Sequence, residues 1–275
     1  MIKKFFFCFF LFVLTLWGDI LDDKVQNLIG MQSYNVNKNF IDRIFKDREK
    51  FYSDGRLDIK KVVTTLKDNG LLILKFSEPG DLDITFASQT TPIFLARSIN
   101  SALSSMGYSY FAVSQAQYEK GMSKITFSFS TEHALDPSII INELAKRGYI
   151  FLDIKRNSIT SWEYDIELVD PKLANTKQIE APQTLQVTEV SGEYWFSVKG
   201  QGNMTITANT TSWRPRIVLY DKNLQIINLI TQSATAKEIT LTILEGVSFI
   251  MVTDAQNPAI IKNGIKIDFQ NFDKK

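Results

Sequence analysis

The spacing of apolar residues changes along the chain, and each change marks a new kind of segment. The first segment is an unbroken apolar run, FFFCFFLFVLTLW from Phe5 to Trp17, set between Ile2-Lys3-Lys4 and Gly18-Asp19. A basic start, a short apolar core and a small closing residue are the features of a secretory leader. Thirteen residues fall short of the ~20 that cross a hydrocarbon core. The expectation is a signal peptide over 1–18, cleaved near Gly18, with release into the periplasm.

Residues 19–76 read as a small helical segment. Leu21, Val25 and Leu28 share one helical face before Gly30. Val36, Phe40, Ile41, Ile44 and Phe45 repeat at helical spacing, and Ser53-Asp54-Gly55 is a turn. Ile59, Val62, Val63 and Leu66 follow at i, i+3, i+4 and i+7, with Gly70 closing that helix. Such short helices cannot build a core alone, so they are expected to pack on the next domain or on a partner.

Residues 77–169 contain one pattern twice. Ile84-Thr85-Phe86 leads to Thr91-Pro92, a helix, Gly107-Tyr108 and a strand. Ile125-Thr126-Phe127 leads to Asp136-Pro137, a shorter helix, Gly148-Tyr149 and a strand. Each helix is headed by an N-cap side chain and a proline whose missing N–H costs nothing there. A doubled β-α-β unit joined near Lys120-Gly121 predicts a ferredoxin-like βαββαβ domain. Trp162, Tyr164, Ile166 and Leu168 alternate with Ser161, Glu163, Asp165 and Glu167, which predicts an extra edge strand. The outward carboxylates Glu163, Asp165 and Glu167 are the candidate partner-binding residues; a merely solvated face is the competing reading.

Residues 170–183 are polar, carry two prolines and lack periodicity, so they read as a linker. Over 184–275, alternating stretches such as Tyr194/Phe196/Val198, Met204/Ile206/Ala208 and Ile265/Ile267/Phe269 are separated by turns. Short strands at this rhythm predict an antiparallel, jelly-roll-like β-sandwich. The fold class is therefore α+β.

Composition narrows the chemistry. Of 31 basic residues, Lys3 and Lys4 leave with the leader, so 29 face 30 acidic ones. A near-neutral chain lacks the electrostatic footprint of a nucleic-acid binder, and no second apolar run predicts a membrane span after cleavage. Cys8 leaves too, so the mature chain has neither thiol nor disulfide. His133 is the single histidine; without a nucleophile and an orienting partner it does not make a triad. No zinc cluster, calcium loop or phosphate-cradling glycine loop is present in the sequence. No catalytic residue, metal or cofactor is therefore expected. Trp195 and Trp213 are the aromatic candidates for stacking on a sugar.

Two stretches resemble known families. SGEYWFSVKGQGNMTITA, RIVLYDKN and ITLTILEGVSFIMVTD resemble bacterial pre-peptidase C-terminal domains, accessory sandwich modules of secreted proteins. LDDKVQNLIG, NKNFIDRIF, FYSDGRLDIKKVVTTLKDNGLL and INELAKRGYIFLDI are similar to a family of epsilonproteobacterial periplasmic proteins, some described as secreted proteins involved in flagellar motility. The first resemblance implies binding or spacing; the second implies flagellar motor components among the partners. Together with the absent catalytic constellation, they give an expected role as a periplasmic, non-enzymatic scaffold that contacts other envelope proteins. The alternative is a glycan- or peptidoglycan-binding protein using the sandwich.

Overall fold

Both proline-headed helices form where their caps place them. In the computed structural model, which describes residues 20–272, α5 (Pro92–Ser105) starts at Thr91, whose hydroxyl accepts from Phe94 N–H. Helix α6 (Pro137–Ala145) starts at Asp136, whose carboxylate accepts from Ser138 N–H at 2.9 Å. The expected leader, residues 1–18, lies outside the described residues, and no described helix is long and apolar enough to cross a membrane.

The chain divides into two compact units, Met1–Val169 and Asp170–Lys275. The first contains α1 (residues 20–29), α2 (Met31–Val36), α3 (Lys38–Ile44), the small β1 (Tyr52–Ser53) and β2 (Arg56–Leu57) pair, and α4 (Ile59–Asp68). These helices share a unit with the sheet. Their apolar stripes, including Leu21, Val25, Ile41, Val62 and Leu66, are fully buried. Helix α4 packs on α6, and Lys67 reaches the Asp136 cap at 2.6 Å.

The sheet of this unit runs β4-β5-β3-β7-β6, with β3 at Lys75–Ser88, β4 at Ala112–Glu119, β5 at Met122–His133, β6 at Tyr149–Ser158 and β7 at Ser161–Leu168. The expected βαββαβ order is present with one change. The extra strand β7 is not an edge strand: it lies parallel to β3 and antiparallel to β6, pushing β6 to the edge. Burial explains the insertion. Trp162, Tyr164 and Ile166 are 1 %, 0 % and 2 % exposed, and an interior place lets all three pack in the core while Tyr164 stacks on Phe86.

The second unit is a sandwich. One sheet is ordered β13-β12-β15-β10-β8 and the other β14-β11-β16-β9. Its strands are β8 (Lys177–Glu180), β9 (Gln183–Val187), β10 (Tyr194–Lys199), β11 (Gly202–Ala208), β12 (Pro215–Tyr220), β13 (Ile226–Thr231), β14 (Glu238–Ile243), β15 (Phe249–Asp254) and β16 (Ile265–Asn271). Inward residues from both sheets, among them Phe196, Ile206, Ile250 and Ile267, form one core. The expected linker is only partly loop. Strand β8 falls inside it, pairs parallel with β10 and places Ile179 in the core. One apolar residue among polar ones is too little periodicity to read from sequence.

Candidate docking edges of the mixed sheet

The two edges of the mixed sheet are treated differently. At the β6 edge, helix α1 supplies hydrogen bonds that another strand would otherwise make. Asn27 Oδ1 accepts from Arg156 N–H at 3.0 Å, and Asn27 Nδ2 donates to Arg156 C=O at 3.3 Å. Lys24 Nζ donates to Ile154 C=O at 3.0 Å and pairs with Asp153 at 2.5 Å. Ile154 and Arg156 are two residues apart, the spacing at which an edge strand turns its backbone outward.

The β4 edge has no such cover. Hairpin geometry fixes which groups point out. Lys120 and Gly121 have φ of 52° and 83°, as a two-residue type I′ turn requires. Glu119 and Met122 flank the turn and so exchange both ladder hydrogen bonds. By alternation Gln117 faces β5, whereas Ala116 and Tyr118 direct their N–H and C=O outward. Among the described residues, no side chain or backbone outside the β4–β5 ladder bonds to the β4 backbone.

All eight residues of β4 are exposed, so the strand lacks cover on its faces as well. Val113, Ala116 and Tyr118 pair with Phe127, Ile125 and Ser123, whose buried side chains mark the helix side of the sheet. Yet Val113 and Tyr118 remain 53 % and 56 % exposed. Proteins commonly protect a sheet edge with charge or a bulge. Strand β4 has an irregularity between Val113 and Gln115, and its single charge is Glu119 at the end. Gln115–Glu119 is left regular and open.

The sequence candidates are placed otherwise. Glu163, Asp165 and Glu167 lie on the face opposite the helices, as alternation requires, but they do not form a bare negative stripe. Lys124 pairs with Glu163 at 2.8 Å and Lys155 with Asp165 at 3.5 Å; Glu167 has no ion pair among the described residues. Trp213 is not an exposed ring. It is fully buried in the sandwich core and donates to Thr253 C=O at 3.0 Å. Trp195 is half-buried, stacks on Tyr220 with centroids 5.3 Å apart, and donates to Glu193 at 2.5 Å.

His133 ends β5 in an exposed position, its backbone N–H donating to Thr131 Oγ1 at 3.3 Å. No group of three or more His, Cys, Asp or Glu able to hold a metal occurs among the described residues. The β4 edge escaped the sequence reading because AVSQAQYE shows little alternation. The available signal was thirteen consecutive uncharged residues, Met106–Tyr118, between a helix and a hairpin turn.

No known family model matches the chain, and no curated protein does. Among solved structures, it is similar to the pre-peptidase C-terminal domain of a collagenase from Bacillus anthracis. The identity is 14 % and the TM-score 0.24, over 37 % of this chain and 98 % of that one.

Proposed function

We propose that this chain is a non-enzymatic interaction protein of the bacterial cell envelope, acting in the periplasm and docking an extended segment of a partner along β4. The observation that carries the reading is the contrast between the edges: on β6, Lys24 caps the Ile154 C=O and Asn27 caps both backbone groups of Arg156, whereas Ala116 and Tyr118 of β4 are uncapped. Strand addition gains affinity from main-chain hydrogen bonds and specificity from side-chain pockets on alternate residues. The exposed Val113 and Tyr118 are suited to the second task.

The likeness of the N-terminal two-thirds to the motility-associated family makes a flagellar motor component the first partner to test. The glycan-binding alternative retains only Trp195, since Trp213 is enclosed.

Ala116→Pro tests the reading. Proline is tolerated on an edge strand where its missing N–H faces outward, so the ladder with β5 stays intact. The variant should be exported and folded but recover about tenfold less partner, equivalent to ~1.4 kcal/mol. Full recovery by a folded variant would sink the proposal.

A further inference from the structure

We infer a second docking surface on the N-terminal helices: a basic groove that takes an acidic peptide segment bearing an apolar anchor. It is independent of β4. The groove, about 1130 Å³, lies between the end of α3, the 3₁₀ turn Arg48–Phe51 and one flank of α4. Five basic residues line it (Arg43, Lys46, Lys50, Lys60 and Lys61) against two acidic ones, Asp47 and Asp58.

The acidic residues are already engaged. Asp47 pairs with Lys50 at 2.6 Å and Asp58 with Lys61 at 3.2 Å. Arg43, Lys46 and Lys60 make no ion pair or side-chain hydrogen bond among the described residues. A chain of formal charge +1 thus gathers three cations outside any ion pair at one groove, of which only Lys46 feels a nearby carboxylate, that of Asp47. Isolated lysines on a helix are ordinarily just solvated, but here they surround a formed depression. Lys61 Nζ ties its two walls by donating to Lys50 C=O at 3.2 Å.

The floor decides the class of occupant. Ile44 and Tyr52 are half-buried beside buried Phe51, so the groove offers apolar contact between its charges. An anionic glycan has no side chain to fill that floor. A lipid headgroup layer is flat, and a small anion would leave most of the space empty, because small-molecule sites span about 300–1,000 Å³. A peptide combining carboxylates with a Leu or Phe meets both the rim and the floor. Charge complementarity would act mainly on the association rate, with strong dependence on salt.

The test is fluorescence anisotropy on the mature full chain with a labelled Asp/Glu peptide carrying central Phe and Leu. Two control peptides are used: one with Asn/Gln for the acids, one with Ser for Phe and Leu. Saturable binding that weakens about tenfold with either control and with Lys46→Glu/Lys60→Glu, and weakens again as salt rises, is expected. These lysines are exposed, so the variant should keep its circular dichroism. Absence of saturation below about 1 mM, equal binding of the control peptides, or binding unaffected in the folded variant would overturn the inference. So would preferential binding to vesicles of anionic phospholipid. None of these outcomes depends on β4, which Ala116→Pro examines separately.

Discussion

Asn27 reaches across 129 residues of sequence to bond both backbone groups of Arg156, accepting from its N–H at 3.0 Å and donating to its C=O at 3.3 Å. A side-chain amide has one donor end and one acceptor end, so a single Asn can imitate the next strand at that position. The Arg156 guanidinium returns a bond to Leu28 C=O at 2.9 Å, at the end of α1. Helix and edge thereby hold each other. Asn27→Ala should lower stability by about 1–2 kcal/mol, since it removes two bonds that each contribute roughly 0.5–1 kcal/mol, and should speed amide exchange at Arg156. Thermal melts and hydrogen exchange check both; unchanged protection at Arg156 would show that α1 does not seal this edge.

The sandwich depends on a buried carboxylate. Asp254, 3 % exposed, accepts from the backbone N–H groups of Arg214, Gln256 and Asn257 at 2.7, 2.8 and 2.9 Å. Burial pushes its carboxyl upward, but these N–H groups and the Arg214 charge together outweigh burial and hold it below the ordinary carboxylate range. A depressed folded pKa stabilises above the unfolded value and is lost as pH falls through the folded one. Asp254→Asn should therefore cost about 1–3 kcal/mol at neutral pH, and the gap from wild type should narrow below the ordinary Asp pKa of ~3.9. Denaturant titrations at several pH values measure this.

The acidic residues of β7 should separate by their partners. Glu163→Lys removes the ion pair that Lys124 makes across β3 and sets a cation directly opposite Lys155 on β6; it should cost about 1 kcal/mol, because like charges directly opposite on neighbouring strands destabilise. Glu167→Lys, which has no ion pair among the described residues, should stay within about 0.5 kcal/mol. Equal melting temperatures for the two variants would show that the Lys124–Glu163 pair contributes nothing.

Local chemistry was legible and neighbours were not. Thr91-Pro92 and Asp136-Pro137 identify helix starts from the residues alone, because capping needs only adjacent groups. Alternation over 161–168 gives a strand and its apolar face, yet period two is silent about which strand lies alongside, so the interior place of β7 was hidden. Trp213 sits in a nonperiodic stretch, so the sequence left open whether its ring stacks on a ligand or packs inside; it packs in the sandwich core. Edge capping by Asn27 is a contact between residues 129 positions apart, which no local pattern contains.

The most direct test of strand docking is site-specific photo-crosslinking in living cells, with a photoreactive phenylalanine placed at Tyr118 on the open edge and, as control, at Lys155 on the capped one. A discrete adduct from position 118 is expected, absent from position 155 and abolished when Ala116→Pro is added to the folded protein. No adduct from position 118, or one that survives Ala116→Pro, would contradict docking along β4.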